Sequence, residues 1–194
     1  KKYELEEWYI ESQRQSEKGI EGFEGAIVLD PKPDIYLNDP VSVLDYASLY
    51  PSSIIEKNLS HETYIEDKDL IEEIGHDNLH KIEYENFLYQ GKGKGDTVEK
   101  IINQDEPIKT CYFIKSEFME KNNMGSKGII PTVLEHLLDA RSETKKRMKK
   151  EPDEFKKKVL DGLQLAYKVT ANSVYGQLGA TTSTIFKMNL AACT

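Results

Sequence analysis

The residues best suited to chemistry in this chain are one aspartate and a polar stripe of three residues. Asp45 follows a short apolar run, where a β-strand would deliver its carboxylate to the edge of a sheet. Lys168, Asn172 and Tyr175 fall within about 60° of one another on an α-helix. A carboxylate can hold Mg²⁺ beside phosphates, and a lysine can neutralise those phosphates. The two segments therefore favour a site for a phosphorylated molecule and its metal ion.

Each of these features also has a common structural explanation. An aspartate at a strand end often forms a turn, and a polar helix stripe often faces solvent. The residues after Asp45 favour a site, because the backbone N–H groups of Ser48 and Leu49 lie in a predicted turn and could point at phosphate oxygens. Tyr50 could stack beneath a sugar, and Pro51 fixes the bend that holds it.

A basic pair lies on the preceding predicted helix. Arg141 and Lys145 stand four residues apart, so they share a helix face. If the two helices pack antiparallel, this pair and Lys168 could converge on one triphosphate. Arginine supplies a planar fork of donors and lysine a point charge, and both neutralise charge that develops during phosphoryl transfer.

The charge of the chain is unevenly distributed. Apolar residues make up 38% of the sequence and charged residues 31%, which is typical of a globular protein, and the formal net charge is −8. Residues 60–108 carry thirteen acidic and five basic side chains, whereas residues 141–158 carry nine basic and four acidic ones. The basic stretch could bind phosphates in spite of the negative total, because attraction depends on the local charge.

The sequence also bears on the compartment. It contains no run of eighteen apolar residues, so no membrane span is expected. The two cysteines, Cys111 and Cys193, are far apart in sequence. They could pair, but in a chain without a signal peptide we expect free thiols and an intracellular protein.

The hydrophobic pattern predicts strands followed by a helix pair. Apolar or β-branched runs predict strands at 26–29, 41–45 and 110–114, and an extended piece at 180–187. Proline at position 51 suits the first turn of a short helix. From Pro131 onward the hydrophobic pattern becomes helical.

Two long helices are predicted in the last third of the chain. They span about 131–150 and 154–175, with Gly176 and Gly179 ending the second. The break at 151–153 is short, so the helices should pack as an antiparallel pair. The residues of the second helix that could pack opposite its polar stripe are Leu165, Ala166, Val169, Ala171 and Val174.

The two segments, in this order, resemble two signature motifs of the family B DNA polymerases. Residues 45–52 match motif A, Asp-x-x-Ser-Leu-Tyr-Pro-Ser, at every fixed position. Residues 168–176 match motif B, Lys-x-x-x-Asn-Ser-x-Tyr-Gly. Residues 58–63 resemble the usual continuation of motif A, and residues 128–145 resemble the first helix of the fingers. The resemblance looks most like the eukaryotic delta-type and large-DNA-virus branch.

The resemblance implies a role for each motif residue. Asp45 would be one of two carboxylates that bind two Mg²⁺ ions, and the carbonyl of Tyr46 an auxiliary metal ligand. The backbones of Ser48 and Leu49 would cradle the triphosphate, and Tyr50 would reject a ribose 2′-hydroxyl. The other implied nucleotide-binding residues are Arg141, Lys145, Lys168, Asn172, Tyr175 and Gly176, with Lys168 also catalytic near the leaving group.

The implied fold class is α+β, with a partial polymerase palm of antiparallel strands and helices and an antiparallel helical fingers hairpin. The expected domains are a segment before the palm at 1–22, a partial palm with an acidic insertion at 23–128, the fingers at 129–180 and a return to the palm at 181–194. The implied reaction is template-directed transfer of a nucleotide from a deoxynucleoside triphosphate to a primer 3′-hydroxyl in DNA replication. The implied partners are primer–template DNA, deoxynucleoside triphosphates and accessory subunits such as a processivity factor, in the nucleus or at a viral replication site.

A third motif of the family, Tyr-Gly-Asp-Thr-Asp, carries the second catalytic aspartate and does not occur in these 194 residues. The isolated chain is therefore expected to be inactive. Two rival interpretations remain: a non-catalytic relative of the polymerases, and a basic helical hairpin that binds nucleic acid nonspecifically. The second rival predicts no role for Asp45 and no Mg²⁺ dependence of nucleotide binding.

Overall fold

The computed structural model describes residues 20–23, 28–35, 37, 40–90 and 99–194. Within these ranges the chain forms two small antiparallel sheets and six α-helices. The strands are β1 (Ile20–Gly22), β2 (Tyr64–Ile65), β3 (Leu79–Glu85), β4 (Phe87–Gln90), β5 (Glu99–Ile102) and β6 (Ile108–Ile114). The helices are α1 (Leu49–Glu56), α2 (Lys68–Ile74), α3 (Ser116–Lys121), α4 (Ile129–Lys150), α5 (Glu154–Gly179) and α6 (Met188–Ala192). The α+β fold class predicted from the sequence is confirmed.

The larger sheet has the strand order β2-β6-β3, with β6 in the centre. β3 pairs with β6 along its whole length, from Leu79 opposite Ile114 to Glu85 opposite Ile108. The predicted strand at 110–114 is thereby confirmed as part of β6. The other sheet has the order β1-β4-β5.

Helices α4 and α5 form the predicted antiparallel hairpin, the largest helical contact in the described structure. Pro131 lies in the first turn of α4, where its missing N–H removes no helical bond. The side chain of Asp153 caps α5 by accepting a hydrogen bond from the backbone N–H of Lys156 at 3.0 Å. The base of the hairpin packs on the main apolar core, whose fully buried members include Ile54, Leu59, Phe113, Leu134, Leu178 and Leu190.

Three extended segments predicted from the sequence are not strands where the structure describes them. Residues 41–45 have no strand neighbour among the described residues, and Val43 and Leu44 are 89% and 95% exposed. A strand needs a partner for its backbone groups, so the apolar pattern alone did not suffice here. Residues 28–29 are likewise irregular, while 26–27 lie outside the described residues. Residues 180–187 form turns instead of an extended piece.

The second predicted helix differs in its end and in its packing. It continues through Gly176 to Gly179, so Gly176 does not end it. Leu165 and Val169, expected to pack, are 51% and 60% exposed, whereas Ala171 is buried. The reason is that α4 covers only one side of α5, and the side that also bears Phe155 faces solvent.

Cys111 and Cys193 are brought together in the main core as free thiols. The two thiols hydrogen-bond to each other, and this contact together with burial raises the pKa of Cys193. Tyr64 lies beside Cys111, with its hydroxyl 3.8 Å from the sulfur, and accepts a bond from Asn189 at 2.7 Å. This polar network joins β2 and β6 to α6.

Among the described residues, no helix combines the length and the apolar character that crossing a membrane requires.

Candidate nucleotide and metal site

Asp45 lies on an exposed, irregular segment four residues before α1. The chain then turns sharply, because Ser48 adopts the left-handed conformation with φ 56° and ψ 57°. The side chain of Ser48 makes no capping bond. The first N–H groups of a helix have no intrahelical acceptor, so those of Leu49 and Tyr50 are open to an anion.

Tyr50 and Tyr175 are brought together as a stacked pair. Their ring centroids are 4.3 Å apart and their planes differ by 4°. Burial raises the pKa of Tyr175, and the neighbouring Tyr50 adds to this effect. The contact joins the first turn of α1 to the last third of α5, so the two sequence motifs meet in space.

The polar stripe of α5 is open to solvent. Lys168 and Asn172 are exposed, and they precede the half-buried Tyr175 on the same face. Gly176 is also exposed, and an added Cβ would meet no atom of the described structure within 4 Å. Glycine inside a helix costs about 1 kcal/mol relative to alanine. Because no packing in the described structure requires this glycine, the space beside it is available to a ligand.

Arg141 faces α5 from the neighbouring helix. Its Nε donates a hydrogen bond to Oε1 of Gln164 at 3.3 Å. Gln164 lies one turn before Lys168, whereas Lys145 lies one turn beyond Arg141 toward the hairpin tip and is exposed. The three cations therefore form a row spanning about 12 Å along the hairpin. An extended triphosphate could meet them in sequence, so the convergence of the three cations on one triphosphate stays a prediction.

The sequence interpretation overlooked Gln164. It continues the polar stripe one turn toward the N-terminus, at spacings of four, four and three residues from Gln164 to Tyr175. The Nε2 of Gln164 also donates to Oδ1 of Asp161 at 3.0 Å. The amide is therefore held at its nitrogen by Asp161 and at its oxygen by Arg141. The periodicity itself was the signal that could have identified it.

The carboxylate of Asp45 fits part of a magnesium site. Mg²⁺ prefers oxygen ligands and is usually held by one or two carboxylates together with substrate phosphates. The side chain of Asp45 is exposed and so is available to a metal. The described part of the chain contains no cluster of three or more histidine, cysteine or acidic residues that could hold a metal.

Known proteins are similar to this chain in sequence and in fold. Residues 2–194 match the family model described as DNA polymerase family B. A DNA polymerase of Pyramimonas orientalis virus is 39% identical over 93% of this chain. The DNA polymerase delta catalytic subunit of Drosophila melanogaster is 39% identical over 85% of it.

A solved structure is similar as well. The family B DNA polymerase from the hyperthermophilic archaeon Pyrobaculum calidifontis has 29% sequence identity and a TM-score of 0.51 over 92% of this chain. This chain covers 18% of that structure, 17% of the viral polymerase and 12% of the Drosophila subunit. The match to the family model over almost the whole sequence shows that the chain belongs to DNA polymerase family B.

Proposed function

We propose that this chain supplies the nucleotide-binding face and one metal-binding carboxylate of a DNA-directed DNA polymerase. The observation that carries the proposal is the stack of Tyr50 on Tyr175. The stack sets the first turn of α1, with its N–H groups, against Tyr175, and Lys168 lies about 10 Å from Tyr175 along the exposed stripe of α5. A deoxynucleoside triphosphate offers a complementary phosphate chain, sugar and base.

The side chains divide the nucleotide between them. The N–H groups at the start of α1 and the row of Arg141, Lys145 and Lys168 bind the phosphates. The ring of Tyr50 lies beneath the sugar and excludes a 2′-hydroxyl. Asn172 assists triphosphate binding, and Tyr175 with Gly176 borders the new base pair. Lys168 stabilises the charge that develops on the leaving pyrophosphate, since donors fixed in advance act most strongly where charge forms.

Two Mg²⁺ ions, when bound, lower the pKa of the primer 3′-hydroxyl and stabilise the leaving group. Asp45 and the carbonyl of Tyr46 supply ligands on this chain. A second carboxylate must come from outside the 194 residues, since the third family motif is not among them. For the same reason, the chain by itself should not extend a primer with Mg²⁺ and all four nucleotides, and extension by the pure chain would contradict this assignment.

The order of the strands and helices supports an assignment of the chain to polymerase domains. We assign residues 23–128 to part of the palm, 129–180 to the fingers and 181–194 to a return to the palm, with 1–22 preceding the palm. The partners are primer–template DNA and accessory subunits such as a processivity factor. The proposed location is the nucleus or a viral replication site, which fits relatives from viruses and from Drosophila.

The decisive experiment is primer extension by the complete polymerase polypeptide that carries this segment. Asp45→Asn should lower Mg²⁺-dependent incorporation by roughly 100-fold or more, the order seen when one charge-stabilising group is removed. Asp34→Asn is the matched control, since Asp34 is likewise exposed and lies in neither a helix nor a strand. Equal activity of the two variants would remove Asp45 from the metal site.

A further inference from the structure

The start of α4 is held by side chains that have no part in the proposed function. Residues 58–63, here named the junction loop, follow α1 closely. Three of their side chains accept hydrogen bonds from three consecutive backbone N–H groups at the start of α4. The pairs are Gly128 N–H with Oδ1 of Asn58 at 2.8 Å, Ile129 N–H with the carboxylate of Glu62, and Ile130 N–H with Oγ of Ser60 at 3.3 Å.

Contacts with α1 and β6 hold Asn58 in the position from which it caps α4. It takes the left-handed conformation with φ 52°, which asparagine tolerates better than most residues. In this conformation it ends α1, with Asn58 N–H donating to the carbonyl of Ile55 and Leu59 N–H to that of Ile54. Its side-chain amide also donates to the carbonyl of Ile114 at 2.8 Å, at the end of β6.

Glu62 and Ser60 complete the junction. The second carboxylate oxygen of Glu62 accepts a hydrogen bond from Oγ of Ser60 at 2.7 Å. The fit against α4 is close, because a Cβ added to Gly128 would lie 2.7 Å from Cβ of Ser60 and 3.0 Å from the Glu62 carboxylate. The junction loop therefore fixes the position of the first turn of α4, in addition to capping it.

Small movements at this point would be amplified along the hairpin. Arg141 lies twelve residues beyond Ile129, which corresponds to about 18 Å along the helix axis. A tilt of about 3° at the base of α4 would thus displace the guanidinium by about 1 Å. A misplacement of that size can cost roughly 100-fold in rate when a group must meet a reacting phosphate.

We propose that Glu62 is a positioning residue for nucleotide incorporation. It acts through the junction loop, which connects the helix that carries Tyr50 to the helix that carries Arg141 and Lys145. The carboxylate keeps α1, which carries Tyr50, and α4, which carries Arg141 and Lys145, in a fixed position relative to each other. This inference rests on the proposed polymerase function, but it assigns a role to a side chain outside both sequence motifs.

The test is single-turnover incorporation by the complete polypeptide, with primer–template affinity and thermal stability measured in parallel. Glu62→Ala should raise the nucleotide concentration for half-maximal rate by about 3- to 30-fold, the range that follows from losing one helix cap. Primer–template affinity should change less than about two-fold, since the substitution removes no basic side chain that could contact DNA phosphates. Glu62→Gln should restore most of the loss, because its amide oxygen can still accept from Ile129.

Asp153→Ala provides the matched control, since it removes a helix cap from the far end of the same hairpin. It should lower the thermal midpoint about as much as Glu62→Ala while leaving the nucleotide dependence within about two-fold of the wild type. Gly128→Ala should also raise the nucleotide concentration for half-maximal rate, because the added Cβ would push the junction loop away from α4. If Glu62→Ala does not fold, Gly128→Ala provides the test of the inference. An unchanged nucleotide dependence in Glu62→Ala, or an equal effect of Asp153→Ala, would overturn the inference. A wild-type protein that fails to extend a primer would instead contradict the proposed function.

Discussion

The rings of Tyr50 and Tyr175 lie parallel at a centroid distance of 4.3 Å, although 125 residues separate them in the sequence. Tyr50 stands in the first turn of a short helix and Tyr175 near the end of a long one. The ring of Tyr50 therefore has a flat support on one side, which restricts how far it can swing. Such support would suit the proposed role of Tyr50 in rejecting a ribose 2′-hydroxyl.

Sugar discrimination should depend on both tyrosines. Tyr50→Ala should weaken the preference for deoxyribonucleotides over ribonucleotides, because the proposed contact of the ring with C2′ is lost. Tyr175→Ala should weaken it too, by about 2- to 12-fold, since a stacked pair contributes about 0.5–1.5 kcal/mol beyond its buried area. Tyr175→Phe keeps the stack and serves as the control. The measurement is the ratio of kcat/KM for the two nucleotides, and an unchanged ratio in Tyr50→Ala would exclude the gate role.

Lys168→Ala should reduce nucleotide incorporation far more than DNA binding. A charge-assisted contact that tightens in the transition state contributes about 2–4 kcal/mol, or roughly 30- to 1000-fold in rate. Lys157 is a matched control, because it is exposed and its ion pair with Glu154, at 3.4 Å, contributes little. If both variants lost the same modest amount, mainly in primer–template affinity, the hairpin would be a general basic surface, as the rival interpretation holds.

Leu134 should be essential to the stability of the hairpin base. It is fully buried in the main core, so Leu134→Ala should cost about 2–5 kcal/mol in the free energy of unfolding. Its neighbour Val133 is 48% exposed, and Val133→Ala should cost less than about 1 kcal/mol. Chemical denaturation of both variants provides the comparison. Equal losses would mean that α4 packs through a different face.

Stability should fall as the pH drops below about 6.5, partly because of His61. Desolvation lowers its pKa from the ordinary value of 6.5, although a backbone hydrogen bond at Ile185 opposes the shift. The unfolded chain therefore binds a proton at a higher pH than the folded one, so His61 favours folding above pH 6.5, and this contribution is lost as the pH falls toward its folded pKa. His80 acts in the same direction, since burial also lowers its pKa.

The thermal midpoint should accordingly decrease between pH 7.5 and pH 5.5. His61→Gln combined with His80→Gln should flatten this dependence. His136→Gln, on an exposed position of α4, should leave it as it is in the wild type. A slope that persists in the double variant would assign the acid sensitivity to other groups.

The helical hairpin could be predicted from sequence because its determinants are local. Apolar spacing, Pro131 and the short break before Glu154 all lie within the elements that they define. The strand predicted at 41–45 failed for the opposite reason, since a strand depends on a neighbour that no local pattern supplies. β3 was not predicted, although it pairs with β6 along its full length.

In the candidate site, too, local features could be predicted from the sequence and contacts between distant segments could not. The motifs identified Tyr50 and Tyr175 separately, but their stacking required the packing of α1 against α5. The hydrogen bond from Arg141 to Gln164 likewise joins two helices and is not visible in either one alone. The roles of the individual motif residues stay predictions until the variants are measured.

The geometry around Asn58 implies that this position tolerates almost no replacement. Glycine would accept the left-handed backbone but would leave the carbonyl of Ile114 and the N–H of Gly128 without their partner. Aspartate would keep the acceptor and lose the donor, while the longer glutamine would not fit a site with no exposed surface. In a saturation library selected for polymerase activity, we therefore expect asparagine alone at residue 58, whereas the exposed neighbour Lys57 should accept most residues.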